Sequence, residues 1–192
     1  MSREKILTAL RASRPAQNAA LPPIPHFAKT TDHIARYKQA LEENSTVVYE
    51  VQHKEDLGQF IRSKFPETTR QWSGVPGVRG YVEPSTIADM ASLEVAVVKG
   101  ELGVAENGAT WVSDQNLAAR VLPFITQQLV IIIEAHALVV NMHEAYNAID
   151  PHSLGFGFFI SGPSKTADIE QALVVGAHGP LGLTVILVNE FF

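Results

Sequence analysis

Apolar positions along this chain fall into two rhythms, one helical and one strand-like. Over residues 2–14 they recur at helical spacing, with Ile6, Leu7 and Leu10 in one stripe. Ser2 stands where a helix cap would, and Arg11 and Arg14 favour the C-terminal end electrostatically. Pro15, Pro22, Pro23 and Pro25 then break the period and predict an extended linker or wrapping arm. An isolated helix of that length is marginal in water, so it is expected to pack on the main body or on a second copy. A second helix is predicted from Thr31–Asp32 to about Glu43, a strand over Thr46–Val51, and a further helix over 54–65, where Leu57, Phe60 and Ile61 align.

Beyond the turns marked by Gly74, Pro76, Gly77 and Gly80, strand-like runs dominate. Leu93–Lys99 and Leu129–Glu134 read as buried strands, with a Gly-containing loop and Thr110–Ser113 between them. Residues 136–149 fit a helix whose face carries Leu138, Met142, Ala145 and Ile149. Phe156–Ile160 is a strand, Gly162–Thr166 a loop, and Asp168–Val174 a short helix with Asp168 as cap and Gln171 three residues on. Leu183–Val188 is the last strand. Buried strands alternating with helices predict an α/β fold with a largely parallel sheet. One boundary is expected, between an N-terminal helix and Pro-rich arm (1–29) and an α/β domain (30–192).

Composition narrows the function classes. At 192 residues a single domain is expected, with 46% hydrophobic and 18% charged residues arguing against disorder. The formal net charge of −5 counts against a chain built to bind nucleic acid. With no cysteine, this sequence offers no disulfide, no catalytic thiol and no Cys-ligated iron–sulfur cluster, so redox chemistry would need a bound cofactor or another subunit. No stretch approaches the ~20 apolar residues of a membrane span, and the first residues, MSREKILTALRAS, do not read as a signal peptide. A cytoplasmic protein is the expectation.

Three segments could carry chemistry. In Gly103-Val104-Ala105-Glu106-Asn107-Gly108 a carboxylate stands between glycines just after a strand, where open α/β sheets gather ligands at the carboxyl ends of their strands. Glu106 could be a general base, a nucleophile or a partner for a substrate cation, or simply a solvated turn residue. In Ser161–Glu170, Gly162, Ser164, Lys165 and Thr166 precede the predicted helix start at Asp168; free N–H groups there and the Lys165 charge suit a phosphate or carboxylate, although Asp168 itself opposes an anion unless it only caps. In Gly176–Pro180, His178 and Gly179 lie on a turn, where the imidazole could act as acid or base, or bond only to backbone. Arg120, before Pro123, could hold a carboxylate or sit at a helix end. His136 and His143, two helical turns apart on the predicted helix, lie about 10 Å from each other and cannot chelate one ion, so no metal site is expected. Trp72, Trp111 and Phe124 read as packing residues.

Read together, GVAENGAT (Gly103–Thr110), Arg120-Val121-Leu122-Pro123 and SGPSKTADIEQALVVGAHGP (Ser161–Pro180) resemble the lactate-utilisation protein C family, the LUD-domain proteins. The resemblance implies a three-layer α/β fold like that of sugar-phosphate isomerases and CoA transferases. It also implies a part in oxidising L-lactate to pyruvate alongside iron–sulfur partner subunits, and it transfers no established catalytic residue. Asn107 and Ala109 stand where the family usually has Thr, and Lys165 where it has Arg, which removes the planar fork suited to bidentate carboxylate binding. AENG also resembles the nucleophile loop of CoA transferases. The resulting expectation is a subunit of a lactate-oxidising system rather than a self-contained oxidoreductase. It would hold no cofactor of its own, with iron–sulfur clusters in partner chains, and it could form a homo-oligomer. The pocket is expected between the Gly103–Gly108 loop, the Gly162–Thr166 loop and the His178–Pro180 turn, with Glu106 and His178 in proton transfer and Gly103, Asn107, Gly108, Arg120, Gly162, Ser164, Lys165, Thr166, Asp168 and Gly179 around a small anion. The alternatives are an independent acyl-transfer enzyme using Glu106 and a regulatory ligand-binding protein.

Overall fold

A computed structural model describes residues 2–13, 32–150, 155–167, 173–175 and 179–189. Its centre is a sheet of five strands, all parallel: β1 (Val47–Val51), β2 (Gln71–Ser73), β3 (Val95–Lys99), β6 (Gln128–Glu134) and β11 (Gly182–Val188), ordered β1-β11-β6-β3-β2. A second sheet of four short strands, β4 (Leu102–Val104), β5 (Thr110–Ser113), β7 (Leu138–Val139) and β8 (Gly157–Ile160), runs in the order β7-β4-β5-β8. Strands β9 (Lys165–Ala167) and β10 (Leu173–Val175) pair antiparallel. The helices are α1 (Arg3–Ala12), α2 (His33–Glu43), α3 (Leu57–Lys64), α4 (Ile87–Ala91), α5 (Leu122–Ile125) and α6 (Met142–Ala148).

The alternation of side chains along the parallel strands sorts the core into two faces. On β6, Leu129, Ile131 and Ile133 enter one cluster with Tyr37 and Leu41 of α2, Met90 of α4, Leu122 of α5 and Val112 and Leu138 of the second sheet. Val130 and Ile132 enter the other, against Leu57 and Ile61 of α3. Strand order explains which helix goes where. The path β2 to β3 to β6 to β11 steps across the sheet in one direction, and right-handed crossovers keep those connections on one face. From β1 to β2 the chain travels the opposite way, so the same handedness puts α3 on the other face. The result is a parallel sheet covered on both sides, as its continuous apolar strands require.

The local readings hold for α1, α2 and the five parallel strands, apart from the short β2, which lies in a region read as turns. Asp32 caps α2 by accepting from the Ala35 N–H at 2.9 Å. Ser2, by contrast, makes no capping hydrogen bond, and Ile6 and Leu10 remain about half exposed, so the α1 stripe is not buried on the body among the described residues. The Pro-rich arm lies outside the described residues.

Two predicted helices are corrected. Over 136–149 only Met142–Ala148 is helical, because Leu138 and Val139 pair with Gly103 and Val104 as a strand, and Asn141 caps α6 by accepting from Glu144 N–H. His136 therefore sits on a 3-10 turn and shares no helix with His143. The helix expected over Asp168–Val174 does not reach its end, since Leu173–Val175 pairs with Lys165–Ala167; Asp168 itself lies outside the described residues. The sequence pattern marks neither the short strand β4 nor helix α4, which is held by a capping box between Thr86 and Asp89.

Candidate functional site

Three chain segments meet at the end of α2. The helix closes with Asn44 as its cap, Ser45 in the left-handed conformation (φ 65°), and hydrogen bonds from Ser45 N–H to the Glu42 carbonyl and from Thr46 N–H to the Leu41 carbonyl. This pair of reverse bonds is the Schellman closure, with Ser where glycine is usual. The geometry leaves the Asn44 side chain and carbonyl facing two loops. Asn44 Nδ2 donates to the Asn107 carbonyl at 3.0 Å and to Ser161 Oγ at 2.9 Å. Ser161 Oγ in turn donates to the Asn107 carbonyl at 2.8 Å. Lys165 Nζ donates to the Asn44 carbonyl at 2.8 Å, a cation on the negative end of α2.

The glycines at this junction are required by close approach. Gly162 has φ 95°, and a Cβ there would meet the Asn44 carbonyl oxygen at 2.6 Å. Gly108 has φ 71° and lies against the backbone of Ala40 and Leu41. A Cβ on Gly103 would collide with Leu138, Ile133 and Tyr37, so this glycine lets core side chains close over it. Beneath it, the Tyr37 hydroxyl forms a short hydrogen bond with Thr110 Oγ1. Burial pushes the Tyr37 phenol well above its ordinary value of 10, and it stays neutral.

A cavity of about 280 Å³ opens beside the junction. Gly162, Ser164, Lys165 and Gly179 line it, together with Phe124, Leu129, Phe159, Ile160 and Leu183. Ser164 N–H donates to the Pro180 carbonyl at 3.1 Å, and Gly179 lies so close that a Cβ would come within 2.9 Å of Ser164 Cβ. Leu129 and Leu183 pair across the ladder as the second residues of β6 and β11. The cavity thus lies at the amino ends of the parallel strands. The Ser161–Lys165 segment and α5 enclose this space at the edge opposite the carboxyl ends, where the sequence predicts a ligand site.

The remaining candidates are dispersed. The Glu106 carboxylate accepts from Met142 N–H at 3.1 Å at the start of α6, its carbonyl accepts from Arg36 at 3.0 Å, and it does not line the cavity. Asn107 Oδ1 accepts from Ala109 N–H at 3.0 Å and shapes the turn. Arg120 Nε and Nη2 both lie 2.8 Å from Asp114 Oδ2, and its guanidinium sits 5.2 Å over the Phe156 ring. It holds a carboxylate of its own chain and is absent from the cavity lining. Thr166 pairs through its backbone with Val174. His178 and Asp168 lie outside the described residues. Asn44 joins the site without being marked as a candidate in the sequence, although an Asn-Ser pair between a helix and a β-branched run is a helix-stop signal. Trp72 is buried and Trp111 packs on Phe159, whereas Phe124 is 40% exposed at the cavity mouth. Among the described residues, no His, Cys, Asp or Glu side chains gather in threes where a metal could bind, and no helix is long and apolar enough to cross a membrane.

The family model of the LUD domain matches residues 82–188, which contain the cavity and both Gly-rich loops. Among curated relatives, the chain is 33% identical over 101 residues to lactate utilization protein C of Bacillus pumilus, covering 50% of this chain and 42% of that protein. It is 30% identical over 146 residues to lactate utilization protein C of Shouchella clausii, covering 72% of this chain and 58% of that protein. The matched part spans about half the length of these relatives. A crystal structure of a DUF162 family protein from Deinococcus radiodurans superposes with a TM-score of 0.68 at 16% identity, over 82% of this chain and 96% of that one, and shows the shared fold.

Proposed function

The chain belongs to the LUD-domain family, and from that footing we propose that it serves L-lactate utilisation as a subunit that binds a small organic anion in the cavity beside Lys165. The observation that carries this is the junction itself. One basic side chain is anchored to the end of α2, a serine stands next to it, and two glycines bring the backbone close, all around a cavity large enough for a ligand. An ammonium has three donors; the Asn44 carbonyl takes one, and the others suit a carboxylate. Ser164 adds a hydroxyl on the same wall. The similarity to proteins named lactate utilization protein C supports lactate or its oxidation product as the metabolic context.

Electron transfer is assigned to partner chains carrying iron–sulfur clusters, because no cysteine stands in this sequence to ligate one. In this reading the chain binds and orients the acid and docks to the redox subunits. The Glu106 carboxylate, held at the start of α6 away from the cavity, gives the acyl-transfer alternative little support.

The test is complementation on L-lactate as sole carbon source. A strain lacking this gene is expected to lose growth, to recover it with the wild-type chain, and to recover it poorly with Lys165→Ala. Undiminished growth of the deletion strain would overturn the reading.

A further inference from the structure

The cavity is larger than lactate needs, and its lining divides between polar and apolar groups. Benzene fills a cavity of about 150 Å³, and lactate has the same count of non-hydrogen atoms. The cavity beside Lys165 is about 280 Å³, nearly twice that. Its polar side chains stand together: Ser161, whose hydroxyl proton already goes to the Asn107 carbonyl, then Ser164 and Lys165. The rest of the lining is apolar. Leu129 and Leu183, each almost fully buried, are side by side at the starts of β6 and β11, and Ile160 enters from β8. Phe124 stands at the mouth with its ring 4.7 Å from that of Phe158. A head-and-tail division of this kind selects an amphipathic anion.

We propose that the preferred ligand of this cavity is a 2-hydroxy or 2-oxo carboxylic acid with a branched or aromatic side chain. Its carboxylate sits at Ser164 and Lys165, and its side chain lies against Phe124, Phe159 and Ile160, above the buried Leu129 and Leu183. The proposal rests on the reading of the cavity as an acid-binding site and adds the class of acid. Each further buried methylene is expected to tighten binding about fourfold, so an aromatic acid gains at least tenfold over lactate.

Isothermal titration of the full chain with L-lactate, 2-hydroxyisocaproate and 3-phenyllactate tests this. Affinity is expected to rise in that order. Lys165→Ala should weaken all three, while Phe124→Ala, at a half-exposed position, should weaken phenyllactate far more than lactate and so remove most of the phenyllactate advantage. Lactate binding as tightly as phenyllactate, with Lys165 dependence retained, overturns the proposal but leaves the acid site standing. Binding of none of the acids overturns both. Tight phenyllactate binding indifferent to both substitutions places it elsewhere and overturns the proposal.

Discussion

The parallel sheet and the junction at the end of α2 are built on opposite principles. In the sheet, specification is spread over many interchangeable residues: Ile131, Ile132 and Ile133 are all fully buried, and each needs only to be apolar and of the right size. At the junction it rests on a few residues whose identity is fixed by a backbone angle or a single hydrogen bond: Asn44, Gly108 and Gly162. Redundant packing supplies stability, whereas the singular contacts place a lysine and a serine at a cavity. Substitutions in the two regions should therefore separate stability from binding.

The largest effect is expected in the sheet. Ile131→Ala should lower the free energy of unfolding by about 4 kcal/mol in urea titration, through lost burial and an unfilled cavity. Under native conditions it should leave acid affinity close to wild type. Asn44→Ala should reverse the pattern. It removes the two Nδ2 hydrogen bonds at a cost of about 1–2 kcal/mol in stability, yet calorimetry should show a tenfold or greater loss of acid affinity, because the Ser161–Lys165 segment loses its side-chain tie to α2. Equal effects of the two substitutions on binding would dissolve the distinction.

Tyr37→Phe probes the boundary between the regions. It leaves Thr110 Oγ1 without its partner in the core and should cost roughly 1–2 kcal/mol. The sign of its pH dependence follows from the raised phenol. A group whose neutral form is favoured on folding contributes fully below its unfolded value of 10, and that contribution is lost as pH rises past 10. Urea midpoints should fall on the alkaline side in the wild type and fall less steeply in Tyr37→Phe. The smallest effect is a gain. Ser45→Gly relieves the left-handed serine and should stabilise by about 0.5–1 kcal/mol, seen as a small rise in the thermal midpoint. A loss instead would mean that the serine side chain itself supports the junction.

The same contrast accounts for what was legible in the chain. Leu129–Glu134 and Leu183–Val188 announce themselves because a strand buried on both faces must be apolar throughout, and nothing else competes for that pattern. β4 and β7, with three and two residues, carry no period at all and exist through pairing, β4 with β5 and β7, and β7 with β4. Leu138, Met142 and Ala145 do keep helical spacing, but strand pairing claims Leu138 and the Asn141 cap starts the helix later. At the site, the glycines and Lys165 stood out because their residue types are unusual in their surroundings. Asn44 did not, because its importance lies in contacts with Asn107 and Ser161, which no local pattern encodes. Arg120 and Glu106 looked chemically available in the sequence; Asp114 and the Met142 amide hold them in the fold.

The backward step of the first crossover also has a consequence in time. Of the five strands of the parallel sheet β1 is made first, and its partner is β11, with Val47 beside Thr184. During synthesis β1 must wait, unpaired along that edge, until every other strand of the sheet has left the ribosome. Contacts so distant in sequence close late and slowly. The strand that closes the sheet is also the one whose Leu183 floors the cavity, so the site and the completed fold should arrive together, and a chain interrupted before β11 should have neither.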